Sequence, residues 1–220
     1  METYRTEEEQ LAALKRWWKK NGTSILVGIA LAVAAVFGWQ SWQENQRLAG
    51  EEASELYFTL LEAVTLNDSA QTSTVMHLVE QLQNDHDSRT YAQYAALLAA
   101  KQALLSSDLE LAEEQLNWAV DKAEQGGSLH NVATLRLARV IAAKGGDDNL
   151  VSALALIEDV DSGSYTASFE EVKGDLYLRL GRENEARNAY QAAADVLKTS
   201  NGDTLLIDMK LNDLAVAGEF

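Results

Sequence analysis

The 220-residue sequence contains neither cysteine nor proline, and histidine occurs only three times. Without cysteine there is no disulfide, no thiolate nucleophile and no cysteine-bound metal. Without proline, a chain rich in strong helix formers such as Ala, Leu, Glu and Gln has few residues that interrupt a helix. The sequence therefore predicts an all-α protein.

The three histidines, His77, His86 and His130, lie in none of the spacings that build metal or nucleophilic centres. His86 stands in an Asn/Asp/Ser-rich turn and is interpreted as a solvated loop residue. The acidic turn at 145–149 lacks the alternating ligands and the terminal Glu of an EF-hand. We therefore predict no catalytic residue, no cofactor and no metal site, and expect a protein that is not an enzyme.

Basic residues are also scarce, with 18 Lys and Arg against 34 Asp and Glu and a formal net charge of −16. Phosphate backbones are bound by clustered Lys and Arg, so this balance argues against a nucleic-acid partner. The acidic surface is interpreted as a solvated surface. Electrostatic steering of basic partner segments is the alternative.

One long apolar run stands out against this polar background. Residues 21–43 carry no charged side chain, and residues 25–39 are continuously apolar. A helix needs about 20 apolar residues to cross a bilayer, so 21–43 is predicted to be a transmembrane helix. A cleavable signal peptide is disfavoured because Phe37, Trp39 and Trp42 stand where small residues are needed. A buried core helix is disfavoured because the run is apolar on every face.

Basic side chains cluster on one side of this run. Arg47 is the only one that follows it closely. Cytoplasmic flanks of membrane helices carry an excess of Lys and Arg, so the N-terminus is predicted to face the cytoplasm. The basic residues that precede the run are Lys15, Arg16, Lys19 and Lys20.

This orientation divides the chain into three parts. Residues 1–20 form a short cytoplasmic N-terminus, residues 21–43 the span, and residues 44–220 a domain on the far side, which is the periplasm in a Gram-negative cell. The first 20 residues hold five basic and four acidic side chains, which leaves 13 basic and 30 acidic beyond them. The predicted periplasmic domain therefore carries the whole net negative charge.

Within the span, small residues mark a candidate face for contact with another membrane helix. Small residues let two helix backbones approach closely in a bilayer. The alternative is a plain anchor with no helix partner. The candidate residues are Gly28, Ala32, Ala35 and Gly38.

Beyond the span, helical segments alternate with short breaks. A break is predicted at residues 67–69, and three helix-turn-helix units follow from Thr90 onward. The units turn near 106–108, 145–149 and 181–182. Recurrence at 30 to 40 residues indicates a helical repeat solenoid.

The last unit has the sharpest pattern and resembles a tetratricopeptide repeat. The resemblance implies that a small residue on the first helix admits the second helix, that an aromatic fills the gap, and that a glycine takes the corner. The pattern departs from the family at Glu170, Lys173 and Lys198. The residues that carry it are Gly174, Tyr177, Gly181, Ala186, Tyr190 and Ala193.

The same offsets are weaker in the two upstream units. The first has Ser107 at the corner, with Ala112, Leu116 and Ala119 on its second helix. The middle unit aligns best when about three extra residues are placed in the turn after Gly145. The second-helix positions of that unit are then Ala153, Ile157 and Val160.

An acidic N-terminal segment, the basic junction KRWWKKNG, one span, tetratricopeptide-like helices and a closing MKLNDLA together resemble the YfgM-like ancillary subunits of the SecYEG translocon. The resemblance implies a single-pass inner-membrane protein with a periplasmic tetratricopeptide-like domain. It implies SecYEG and the periplasmic chaperone PpiD as partners, and emerging secretory polypeptides as clients. It also implies a role in the envelope stress response and no enzymatic activity.

A generic inner-membrane scaffold for envelope assembly or division shares the anchor and the repeats. It is the alternative function, and the two differ in whether the translocon is a partner.

Overall fold

The computed structural model describes residues 7–65 and 72–217, which form α-helices joined by turns and contain no strand. The all-α prediction is confirmed. The predicted break at 67–69 lies outside the described residues. The helices are α1 (Glu7–Thr65), α2 (Thr72–Asp85), α3 (Thr90–Leu105), α4 (Leu109–Lys122), α5 (Ser128–Ala143), α6 (Asp147–Glu158), α7 (Thr166–Arg179), α8 (Glu183–Thr199) and α9 (Leu205–Ala217).

The chain divides into two compact units, Met1–Glu52 and Ala53–Phe220. The first consists, where described, of α1 up to Glu52. Its most apolar 18-residue window has a mean hydropathy of 2.0 and is only 6% buried, so α1 is long and apolar enough to cross a membrane. It is the one such helix among the described residues.

The second unit is a row of helical hairpins. Helix α3 turns into α4, α5 into α6, and α7 into α8 through short connections, as the repeat pattern predicts. Alanines at the contacts let the helices approach closely, and the apolar core forms four clusters in chain order. Trp118 packs against the first two clusters, Ile141 against the second and third, and Tyr177 against the third and fourth. The core is therefore continuous along the solenoid.

Two of the hairpin corners share one backbone geometry. After α7, the amide of Gly181 donates to the carbonyl of Leu178, and the amide of Arg182 donates to the carbonyl of Tyr177. Gly181 has a φ of +70°, which glycine adopts without the steric penalty that a Cβ brings. Ser107 takes the equivalent place after α3, at a φ of 61°.

At the middle corner the predicted assignment of repeat positions, with about three extra residues in the turn, is wrong. Helix α6 begins at Asp147, two residues after Gly145, just as α8 begins two residues after Gly181. The turn therefore holds no extra residues. Gly145 and Gly146 have φ values of +80° and +79°, and this permits the helix to start at once. The buried residues that follow at the repeat offsets are Leu150, Leu154 and Ile157, whereas Val160 lies beyond the end of α6.

Candidate functional site

Helices α7 and α8 approach each other closely at Gly174. A Cβ built on this glycine lies 2.9 Å from Cζ of Tyr190 and closer still to Cδ1 and Cε1 of the same ring. Tyr190 is only 1% exposed, so its ring fills the space that the missing side chain leaves. Ala186 and Ala193, one turn to either side on α8, are fully buried. The last repeat is thus held together by a glycine against an aromatic ring.

The hydroxyl of Tyr190 is the start of a polar network that fastens α9. It donates to Oδ1 of Asp175 at 2.7 Å, and Nζ of Lys210 donates to the same atom at 2.6 Å and to Glu171 Oε1 at 2.8 Å. Burial, with Asp175 accepting the hydrogen bond, raises the pKa of Tyr190 and keeps the phenol neutral. Burial opposes the charge on Lys210, but the two carboxylates outweigh it and raise the pKa of Lys210. The network joins α7, α8 and α9.

Tyr177, the other aromatic of the repeat pattern, is half-buried at the corner. The guanidinium of Arg182 lies 4.7 Å from its ring centroid, a cation-π contact across the turn. Arg182 is also paired with Glu185 at 2.9 Å. The repeat residues therefore build the scaffold, and none of them lines the groove described next.

A groove crosses the second unit along α1, α3 and α5. Its volume is about 440 Å³, and three tyrosines stand along it. The rings of Tyr57 and Tyr94 lie 6.1 Å apart. Burial, with a smaller contribution from Tyr94, raises the pKa of Tyr57. We call it the tyrosine groove; it is lined by Tyr57, Tyr94, Leu97, Leu98, Lys101, Ser128, Leu129, Val132, Arg136 and Tyr165.

No pattern in the sequence predicts the tyrosine groove, because the residues that line it come from separate helices. Tyr57 belongs to the last turns of α1, Tyr94 to α3, and Tyr165 to the connection before α7. Only helix packing brings them together. The exposure of Tyr94, 43%, shows a large aromatic that the core does not cover.

The four small residues predicted to form a helix-packing face, Gly28, Ala32, Ala35 and Gly38, are all exposed along α1. A Cβ added to Gly28 or Gly38 meets no atom within 4 Å, so the candidate packing face is open. Trp39 and Trp42 lie with ring centroids 5.1 Å apart near the end of the run. The flanking basic residues, all exposed, are Lys15, Arg16, Lys19 and Lys20.

His86 differs from its interpretation as a solvated loop residue. It is only 6% exposed, and its amide donates to the carbonyl of Leu82, so the turn folds back onto the end of α2. Asp87 beside it is paired with Lys122 on α4 at 2.6 Å, which holds the turn in place. Across 7–65 and 72–217, no three His, Asp or Glu side chains are placed to hold a metal ion.

These features define an all-α protein of tetratricopeptide-like repeats that also carries an apolar helix able to span a membrane. The model of a family described as tetratricopeptide repeat-like domain matches residues 15–216, from the basic flank of the apolar run to the last helix. The match therefore covers the repeats and the apolar run together.

Curated relatives give a more specific assignment. The chain is 32% identical over 208 residues to the ancillary SecYEG translocon subunit of Haemophilus influenzae, covering 94% of this chain and 97% of the relative. It is 29% identical over 220 residues to the protein of that name in Escherichia coli strain K12, covering 98% and 100%. The Neisseria gonorrhoeae relative is 23% identical, covering 97% and 100%. The chain belongs to the family of ancillary SecYEG translocon subunits.

No solved structure matches the chain.

Proposed function

We propose that this protein is a non-enzymatic ancillary subunit of the SecYEG translocon that holds a repeat scaffold at the membrane. The observation that carries the proposal is the similarity to named translocon subunits over nearly the full length of both chains. The apolar run and the repeat domain both fall within that similarity. Because repeat domains of this type offer extended surfaces for binding, we infer that the protein is a scaffold that acts by binding other proteins.

The orientation follows from the flanking charges. Residues 1–20 face the cytoplasm, residues 21–43 cross the inner membrane once, and residues 44–220 lie in the periplasm, because basic flanks are retained on the cytoplasmic side. The acidic repeat domain then stands beside the channel exit. There it links the channel to the periplasmic chaperone PpiD and receives emerging secretory polypeptides. Through these contacts it takes part in the envelope stress response. The family resemblance supports these partners and this role.

The absence of cysteine makes the orientation simple to test. We expect a single cysteine introduced as Asn117→Cys, an exposed position on α4, to react with a membrane-impermeant maleimide in intact spheroplasts of a Gram-negative host. Leu14→Cys, on the other side of the apolar run, should react only after the membrane is permeabilised. If Leu14→Cys reacts in intact spheroplasts and Asn117→Cys does not, the orientation is the opposite of the one proposed.

Removal of residues 1–43 tests the translocon role. The anchor confines the repeat domain to the membrane and raises its effective concentration near a membrane partner. We expect the full chain, purified in detergent, to retain SecYEG, and the variant without residues 1–43 to retain at most about one tenth as much. If the shortened chain retains SecYEG in full, the tether is not part of the function.

The candidate packing face adds a second means of contact. Gly28, Ala32, Ala35 and Gly38 leave the helix surface open to another membrane helix. Site-specific crosslinking from these positions should give adducts with SecYEG components. A generic envelope scaffold predicts adducts with other proteins and none with the channel.

A further inference from the structure

The tyrosine groove continues into a second cavity. A smaller space of about 220 Å³ is lined by Leu97, Ala100, Lys101, Leu104, Leu116 and Arg136. Three of these residues, Leu97, Lys101 and Arg136, also line the tyrosine groove. The two cavities are therefore neighbours, and the two cations stand where they meet.

The chemistry on either side of this junction is mainly apolar. The tyrosine groove offers the tyrosine rings together with Leu98, Leu129 and Val132. The smaller cavity is lined by Leu104, which is 42% exposed, and by Leu116, which is fully buried. Large apolar side chains fit both sides, because each offers surface that the fold itself leaves uncovered.

Lys101 and Arg136 are the only charged residues in the lining of either cavity, as far as the chain is described. Neither forms an ion pair with a described residue. Other lysines of the same unit are neutralised: Lys122 by Asp87 at 2.6 Å and Lys144 by Glu113 at 2.6 Å. The chain has nearly twice as many acidic as basic residues, yet within 7–65 and 72–217 no carboxylate pairs with either of these two cations.

We propose that the tyrosine groove and its smaller neighbour bind an internal segment of a partner polypeptide in which an Asp or Glu side chain stands between large apolar residues. The carboxylate pairs with Lys101 and Arg136, and the apolar side chains occupy the two cavities. The inference deepens the proposed function, on which it rests for the presence of polypeptide partners, by giving the chemical character of the segment that is bound.

The position of the cations favours an internal segment over a chain end. A terminal carboxylate held at the junction leaves one of the two apolar cavities empty, because the chain stops there. An acidic side chain within a segment places apolar neighbours on both sides. Charge complementarity selects the segment, and burial of its apolar side chains supplies most of the affinity.

The proposal is tested by measuring the binding of three peptides to the full chain in non-ionic detergent. Each peptide carries a neutral fluorophore; two have both ends blocked, and one ends in a free carboxylate. The first has a central Leu-Glu-Phe-Asp-Leu and both ends blocked. The second is the neutral match, Leu-Gln-Phe-Asn-Leu, also blocked. The third is neutral in its side chains but ends in a free carboxylate after Leu-Gln-Phe. Fluorescence anisotropy gives the affinity of each at low and high salt.

We expect the acidic peptide to bind at least about tenfold more tightly than both others at low salt, and to lose that advantage at about 0.5 M salt. The paired variant Lys101→Glu/Arg136→Glu should abolish the preference for the acidic peptide. The control is Arg139→Glu, a reversal on the same helix α5 at an exposed position outside both cavities; it should bind like the parent.

Equal binding of the acidic and neutral peptides, or an unchanged preference in the paired variant, overturns the proposal. If the peptide with the free carboxylate binds most tightly, the groove binds a chain end and the proposal of an internal segment is wrong. Far-ultraviolet circular dichroism checks that the variants remain folded. Retention of SecYEG by the parent chain is measured on the same preparation, so failure of the groove proposal is distinguished from failure of the translocon role.

Discussion

Replacing Gly174 with alanine is expected to destabilise the repeat domain by about 1–3 kcal/mol, the usual cost of overpacking a tight core. Helix propensity alone predicts the opposite sign, because alanine is favoured over glycine inside a helix by about 1 kcal/mol. Packing decides, since the new methyl group would overlap three ring atoms of Tyr190. The ring has little room to withdraw, because its hydroxyl is held by Asp175 and Tyr190 itself is only 1% exposed.

The measurement is the free energy of unfolding of the full chain in detergent, from urea titrations followed by far-ultraviolet circular dichroism. Tyr190→Leu supplies the control, because it removes the ring that the methyl group meets. Gly174→Ala should cost less in that background, with a coupling free energy of about 0.5–3 kcal/mol between the two sites. A stabilising Gly174→Ala, or additive effects, would show that the two helices are not in close contact at this point.

Two arginines in the apolar run, Leu31→Arg and Val36→Arg, are expected to release the chain from the membrane. Each charge near the centre of a spanning helix costs about 2.5–3.5 kcal/mol on insertion, so the pair costs about 5–7 kcal/mol. Both parent side chains are more than half exposed, at 66% and 55%. The substitutions therefore act on membrane insertion rather than on packing.

Extraction of membranes at alkaline pH measures this release as the fraction of chain left in the pellet. The matched control, Leu31→Ile with Val36→Leu, keeps the apolar character and should remain in the pellet like the parent. Equal retention of the arginine variant and its control would mean that the apolar run is not what holds the chain in the membrane.

The helical class and the apolar run could be predicted because both depend on neighbouring residues. A chain without proline and rich in Ala and Leu forms helices wherever apolar residues recur at helical spacing. The last repeat was recognisable for the same reason, since the interval from Gly174 to Tyr190 is set by two helices and a fixed corner. The relatives agree with the resemblance that the span and repeats indicated.

The middle repeat shows where local patterns fail. Ala153 matches the small residue of the other units, and alignment by residue type places extra residues in the turn. The structure starts α6 at Asp147 and buries Leu150 at the corresponding place. The prediction for His86 was wrong in a similar way, because a polar turn was interpreted as solvated although the folded chain leaves this side chain only 6% exposed.

The sequence by itself determined the helices, the apolar run and the kind of repeat, because hydrophobic periodicity and apolar length are read within one segment. Only the tertiary structure decided the tyrosine groove. It brings Tyr57, Lys101 and Arg136 from three helices to one surface and leaves both cations without a carboxylate partner among the residues that the structure describes. Such a surface depends on which helices stack and which faces stay uncovered, and these follow from packing between distant segments.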